Sequence, residues 1–351
     1  MTKYKKSVIL SLAKVCKKHI FQKGHCMKKL SIIIVLVALF CVILTAVSCG
    51  KSATTTAKTP AATTPAATTP AKVTTTAPVV TTTTPVTTTV PVTTTAILST
   101  GKPDPVVTPV EKILNPKTAF EAKVFDASNG LDLPYRIYVP ADYSEEYAYP
   151  VVLVLHGAGE RGTDNTNQLN NLIPNLFSKK NSPFYQAIVI CPQCPSGSQW
   201  VNTPWANGNY SVDRTPISKP LQAAVELLDS VIENYSINTN RQYVTGLSMG
   251  GFGTWDLLMR YPERFAAAIP YCGGADTTKA ASLVNVPIHT FHDTSDPTVP
   301  CAGTQAMVEA IKAAGGTLIE YTETKTYGHD VWSPGSRSLA LLNWLFDQRK
   351  G

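Results

Sequence analysis

From residue 118 onward, apolar residues recur with two different periods. The runs "EAKVFD" (121–126) and "LPYRIYVP" (133–140) predict two early strands. The runs "PVVLVLHG" (150–157) and "AIVICP" (187–192) are apolar without a break, the mark of strands covered on both faces. Then the period changes. In "PLQAAVELLDSVIENY", Leu221, Ala224, Val225, Leu228, Val231 and Ile232 fall on one helical stripe, and Pro220 fits a first turn. Strand and helix alternate from there: strand "QYVTG", helix "GFGTWDLLMRY", strand "FAAAIPYC" and strand "PIHTFHD". A helix near 302–314 should stop at Gly315 and Gly316, before strand "TLIEYTET" and a closing helix in "SRSLALLNWLFDQ". Alternation of this kind predicts an α/β domain with a mostly parallel sheet and helices on both faces. Residues 193–219 show no period and read as a loop carrying Trp200, Trp205 and Tyr210.

The N-terminal third follows neither period. Residues 27–49, "MKKLSIIIVLVALFCVILTAVSC", place two lysines before an apolar run, then small residues and a cysteine, the layout of a secretory signal. The ending "TAVSC" is similar to a bacterial lipobox, which makes Cys49 a candidate lipidation site. About 18 apolar residues could also serve as a membrane-spanning anchor. Met27 reads as the translation start, with residues 1–26 outside the functional chain. Residues 50–104 are rich in Thr, Pro and Ala and predict a solvated, semi-rigid tether. Three segments result: 1–49 an extension and lipoprotein signal, 50–104 a linker, 105–351 the folded domain. The expected location is extracytoplasmic, at a bacterial cell surface or in the periplasm.

Charge divides the chain at the same place. Residues 1–103 hold 13 lysines and no acid, so the formal +7 of the whole becomes 18 − 24 = −6 beyond them. An acidic folded domain lacks the clustered basic face that nucleic acid requires.

One stretch concentrates the candidate chemistry. In "RQYVTGLSMGGFGTW" (241–255), Gly246, Leu247, Ser248, Met249 and Gly250 match G-x-S-x-G, between a predicted strand and a predicted helix. That context defines a nucleophile elbow, with Ser248 at a helix N-terminus and the Met249 N–H facing a developing oxyanion. A serine needs a base and an orienting acid, in the order Ser, Asp or Glu, His for this architecture. His289 and His292 lie inside a predicted strand and come too early. His329, in "TYGHDVW", follows the last strand and is the candidate base. In "HDTSDPTVP", Asp296 is the preferred acid and Asp293 its competitor. The loop "VLVLHGAGERGTDN" offers the second oxyanion donor, the Ala158 N–H, with Gly157 as alternative; His156, Glu160 and Arg161 read as braces of that loop. Trp200, Trp205 and Trp332 are candidates for contact with substrate.

The blocks "HGAGERGTDN", "PQCPSGSQW", "YVTGLSMGGFGTWDLLMRYPERFAAAIPYCGG", "HDTSDPTVP" and "GHDVW" occur in the right order. Together they resemble the alpha/beta-hydrolase esterases described as predicted peptidases or phospholipase/carboxylesterase-like proteins. These are similar to the polyhydroxybutyrate depolymerase and feruloyl esterase group. The resemblance spans residues 118–350. It implies an alpha/beta-hydrolase fold and a serine esterase, with Ser248 as nucleophile, Asp296 as acid, His329 as base, and Ala158 and Met249 as oxyanion donors. Asp293 departs from it, since relatives usually carry glycine after that histidine.

Of the cysteines beyond Cys49, Cys191 and Cys194 form a lone C-x-x-C, joined by Cys272 and Cys301. A structural zinc site needs four ligands and none complete this one, so neither metal nor cofactor is expected. The cysteines could pair outside the cytoplasm or remain buried thiols. The expected activity is hydrolysis of carboxylic esters, small or linked to polysaccharide. A serine peptidase of prolyl-oligopeptidase type and a non-catalytic glycan-binding surface protein are the alternatives.

Overall fold

The computed structural model describes residues 101–106 and 108–351. The expected signal, the candidate lipidation site Cys49 and the expected tether up to residue 100 lie outside the described residues. The chain is already docked at Asp104, whose carboxylate meets Arg349 at 2.5 Å and Arg241 at 3.3 Å.

Eight strands form one sheet in the order β1-β2-β4-β3-β5-β6-β7-β8. They are β1 (Glu121–Asp126), β2 (Asp132–Tyr138), β3 (Tyr149–Leu155), β4 (Ile188–Pro192), β5 (Ile237–Leu247), β6 (Ala267–Tyr271), β7 (Ile288–Asp293) and β8 (Ile319–Thr324). The first two run antiparallel; from β4 to β8 every neighbouring pair is parallel. The helices are α1 (Pro116–Ala119), α2 (Leu172–Leu176), α3 (Lys219–Asn234), α4 (Met249–Arg260), α5 (Ala302–Ala313), α6 (Trp332–Gly335) and α7 (Leu339–Asp347). Among the described residues no helix is long and apolar enough to cross a membrane.

Alternate residues of the central strands feed two cores. Val151, Leu153 and Leu155 pack under α3, α4 and α5, whereas Val152 and Val154 pack under α2 and α7. This period of two explains the unbroken apolar run in β3: both faces are covered, so neither can be polar. Helix α3 begins at Ser218, whose hydroxyl accepts from the Leu221 amide, with Pro220 in the first turn. Strand β5 is longer than "QYVTG" suggested. Its first residues, 237–241, alternate buried and half-buried positions around polar Asn238 and Asn240 and so read as a loop in the sequence.

The loop 193–219 contains two short 3-10 turns, Trp205–Asn207 and Val212–Arg214. It is pinned to the sheet by Trp200, which is fully buried and donates through Nε1 to the His156 carbonyl at 3.0 Å. The expectation that Trp200 faces substrate is therefore corrected: an indole in this loop gains more from burial plus one satisfied N–H than from solvent contact.

Candidate active site

Strand β5 delivers the chain to a sharp turn at Ser248, with φ 55° and ψ −118°. A non-glycine residue in that region costs on the order of 1–3 kcal/mol, held in place here by its surroundings. The Ser248 amide donates to the Tyr271 carbonyl of β6 at 3.0 Å, and the Phe252 amide donates back to the Ser248 carbonyl at 3.0 Å. The glycines of the motif are sterically required. A Cβ on Gly246 would lie 2.4 Å from the Gly250 carbonyl oxygen, and one on Gly250 would lie 2.0 Å from that of Leu155. Backbone cannot yield as a flexible side chain can. Gly250→Ala is expected to lose about 3 kcal/mol or more, or to prevent folding, as a thermal unfolding curve would record.

His329 lies beyond β8, after Gly328 at φ 55° turns the chain back over the sheet edge. Its Nε2 is 2.8 Å from Ser248 Oγ and its Nδ1 is 2.7 Å from Asp296 Oδ2. Nδ1 faces a carboxylate, so it carries the proton and Nε2 is left to accept from the serine. Trp332 stands edge-on to the imidazole, with ring centres 5.5 Å apart.

Asp296 follows β7 and its side chain is wholly enclosed. Its two oxygens divide their work. Oδ1 accepts the amides of Thr298 at 2.8 Å and Val299 at 3.0 Å. Oδ2 takes His329 and also His292 Nε2 at 3.3 Å. Burial alone would raise the Asp296 carboxyl, but hydrogen bonds from His292, His329 and the two amides outweigh it and hold the group ionised, well below the usual carboxylate range. His292 was readable only as a strand residue. It is a second imidazole on the acid, anchored through Nδ1 to Thr304 Oγ1 at 2.7 Å and through Nε2 to the Val299 carbonyl at 3.0 Å. The signal that could have revealed it is the i,i+4 spacing to Asp296 across a strand exit.

Asp293, the competing acid, does not touch His329. It accepts from Ser295 Oγ at 2.5 Å, Thr324 Oγ1 at 2.7 Å and the Tyr327 amide at 2.9 Å. It thus clips the loop bearing Asp296 to the loop bearing His329. Burial would raise this carboxyl too, yet the Ser295, Thr324 and Tyr327 donors win and hold it well below the ordinary range.

The loop after β3 crosses the elbow. His156 is buried and neutral: burial lowers it to about 4, Nδ1 donates to the Gly157 carbonyl at 2.6 Å, and Nε2 accepts the Cys194 amide at 2.9 Å. The Gly157 amide is taken by Glu160 Oε2 at 2.8 Å. That removes Gly157 from the two oxyanion candidates and leaves Ala158, whose amide, like that of Met249 at the head of α4, has no protein acceptor among the described residues.

Glu160 is itself buried, and that burial, only partly offset by the Gly157 and Asn171 donors, pushes its carboxyl up to about 7. A folded-state value above the ordinary 4.5 means that the native protein disfavours the charge. Its contribution to stability is then greatest below about pH 4.5 and is lost as pH rises toward 7, to a total on the order of 3 kcal/mol. Glu160→Gln is expected to flatten that part of the unfolding free energy measured by urea titration at a series of pH values.

Cys191, Cys194, Cys272 and Cys301 are all free thiols, the first three buried. Cys272 Sγ lies 3.6 Å from the His329 carbonyl, and with Asp296 and His329 it forms a three-donor group whose ligand atoms lie within 4.8 Å of one another. The carboxylate and imidazole are already closer than the about 3.3 Å that two ligands keep around one tetrahedral zinc ion. Burial also pushes the thiol well above its usual range, and metal ligation needs a thiolate. The arrangement suits a proton relay better than an ion.

The family model Esterase, described as "Putative esterase", matches residues 127–314, more than half of the chain. The chain belongs to the Esterase family. It is 28% identical over 211 residues to a poly(3-hydroxybutyrate) depolymerase of Ralstonia pickettii, covering 58% of this chain and 42% of that protein. Over 173 residues it is 32% identical to a bifunctional acetylxylan esterase/xylanase of Neocallimastix patriciarum, covering 49% and 22%. The chain thus spans less than half the length of these curated relatives. Among solved structures, a thermostable esterase superposes with a TM-score of 0.58 at 35% identity, covering 67% of this chain and 64% of that one. The fold of this Esterase-family chain is the alpha/beta-hydrolase fold.

Proposed function

We propose that this protein hydrolyses carboxylic esters through Ser248, His329 and Asp296. The observation that carries the reading is the continuous hydrogen-bonded line from Asp296 through His329 to Ser248, with the Met249 and Ala158 amides lacking an acceptor among the described residues. Ser248 Oγ attacks the ester carbonyl carbon as Nε2 of His329 takes its proton, and the imidazolium is balanced by Asp296. The oxyanion is held by the N–H groups of Met249 and Ala158. Collapse of that intermediate expels the alcohol, which takes the proton from Nε2 and leaves an acyl-serine. Water, deprotonated by the same nitrogen, then releases the acid. Trp332, edge-on to the His329 imidazole, and Trp205, under Arg161, contact the substrate in this reading. Relatives named for depolymerising a polyester and for deacetylating xylan support an oxygen ester, small or polysaccharide-linked, over a peptide bond.

A fluorophosphonate probe tests the reading: it should label wild type at Ser248 and fail on Ser248→Ala. p-Nitrophenyl acetate and methyl ferulate should be cleaved and a proline anilide left intact; the reverse preference would make the protein a peptidase. Cys49 is proposed to carry the lipid that anchors the domain outside the cytoplasm. Metabolic incorporation of a fatty-acid analogue, lost in Cys49→Ala, is the expected result.

A further inference from the structure

Arg161 has more donors than the loop uses. Its Nε donates to the Ala158 carbonyl at 2.8 Å, and one terminal nitrogen donates to the Ser198 carbonyl at 3.2 Å. A guanidinium carries five N–H groups, so three remain. No carboxylate comes within ion-pair distance of it among the described residues, whereas Arg241, Arg260, Arg264 and Arg349 each have one. The two nearest acids in sequence are occupied elsewhere. Glu160 turns beneath the loop to the Gly157 and Asn171 amides, and Asp164 is held by Thr166, Asn167 and Gln193. An unpaired guanidinium in a segment of net charge −6 asks for an anion supplied from outside.

Its position says where that anion would sit. Arg161 braces the carbonyl of Ala158, and the amide of the same residue is the proposed oxyanion donor. Beneath the guanidinium lies Trp205, with its ring centre 5.9 Å from the Arg161 carbon. Trp205 rests on Val201, Phe252 and Val299, so the indole forms a fixed apolar floor. A planar cation over an aromatic floor, held on the carbonyl of the residue whose amide is the proposed oxyanion donor, matches a carboxylate in shape and charge.

We propose that Arg161 and Trp205 form an anion subsite, and that the preferred ester carries a carboxylate a few bonds from its scissile carbonyl. The proposal rests on the esterase reading above. The carboxylate can belong to the acyl part, as in a dicarboxylic half-ester, or to the alcohol part, as in an acylated hydroxy acid or uronate.

The test pairs charged esters with neutral amides of the same shape. Monomethyl succinate is compared with methyl succinamate for the acyl side, and 3-acetoxypropanoate with 3-acetoxypropanamide for the alcohol side, by pH-stat titration. In the wild type, the carboxylate member of one pair should show a kcat/KM about 10- to 100-fold higher, as a charge-assisted hydrogen bond provides. The advantage should shrink as salt is raised. It should fall to about unity in Arg161→Gln and partly return in Arg161→Lys. Because the ratio cancels any common loss from a loosened loop, a purely structural Arg161 would lower both members equally and leave the ratio unchanged; that outcome overturns the subsite. A wild-type ratio near one in both pairs overturns it as well, even should Arg161→Gln not fold. Calorimetric binding of succinamate against succinamide needs no turnover. Tighter binding of succinamate without hydrolysis of any ester would sink the esterase reading and keep the subsite.

Discussion

Ser248→Ala is expected to lower kcat for ester hydrolysis about 10⁵- to 10⁶-fold while the protein stays folded. The magnitude follows from the role proposed for the hydroxyl. It is the atom that forms the bond to the acyl carbon, and the remaining rate would come from the two amides acting on a water-attacked ester. Alanine keeps the backbone at φ 55°, so the strain at the elbow is neither released nor increased. The unfolding midpoint should therefore move little. His329→Ala should cost about as much, and the double variant little more, because a nucleophile without its base and a base without its nucleophile are the same broken line. Both kcat values and thermal unfolding are to be measured on one preparation. A Ser248→Ala protein that kept a hundredth of wild-type kcat would place the nucleophile elsewhere.

The second large effect is at the acid. Asp296→Asn should reduce kcat about 10⁴-fold. The surroundings dictate how. Oδ1 is fixed by the Thr298 and Val299 amides, at 2.8 and 3.0 Å, and only an oxygen can accept them. The asparagine NH2 must then occupy the place of Oδ2, 2.7 Å from His329 Nδ1. A donor there forces the proton onto Nε2, which can no longer accept from Ser248. The same NH2 would meet His292 Nε2, already the donor to the Val299 carbonyl, so a second conflict adds to the first. Asp293→Asn makes the comparison sharp. That side chain ties two loops together without reaching the imidazole, so its loss should misplace His329 and cost at most about 100-fold, with a lower unfolding midpoint. If Asp293→Asn proved the more damaging of the two for kcat, the acid would have to be reassigned.

Much of this candidate site is legible in the sequence. Ser248 is legible because a strand-to-helix turn that tight demands glycine at 246 and 250, and steric demands on the backbone are written in local sequence. His329 is legible because chain order leaves one histidine after the last strand. Between the two acids the sequence prefers Asp296 to Asp293, and the structure places Asp296 against His329. Asp293 closes β7 and Asp296 lies three residues further on in the loop, and only the folded chain turns one carboxylate toward the imidazole and the other toward Thr324. Trp200 and Trp205 lie in the same unpatterned loop, yet one is sealed under the His156 carbonyl and the other lies against Arg161. Nothing in their neighbours' periodicity separates them.

By itself, then, the sequence determined the alternation of elements, the two-sided core of β3, the elbow, and the division between a basic N-terminal third and an acidic remainder. Each of these depends on residues near one another along the chain, where period, steric limits and charge act locally. The tertiary structure alone decided which carboxylate faces His329, that His292 shares it, that Glu160 consumes the Gly157 amide, and that Arg161 keeps donors to spare. The first two depend on side chains from separate loops and strand ends meeting at the carboxyl edge of the sheet, the last two on how one loop folds over it, and in each a hydrogen bond forms or fails over a few tenths of an ångström.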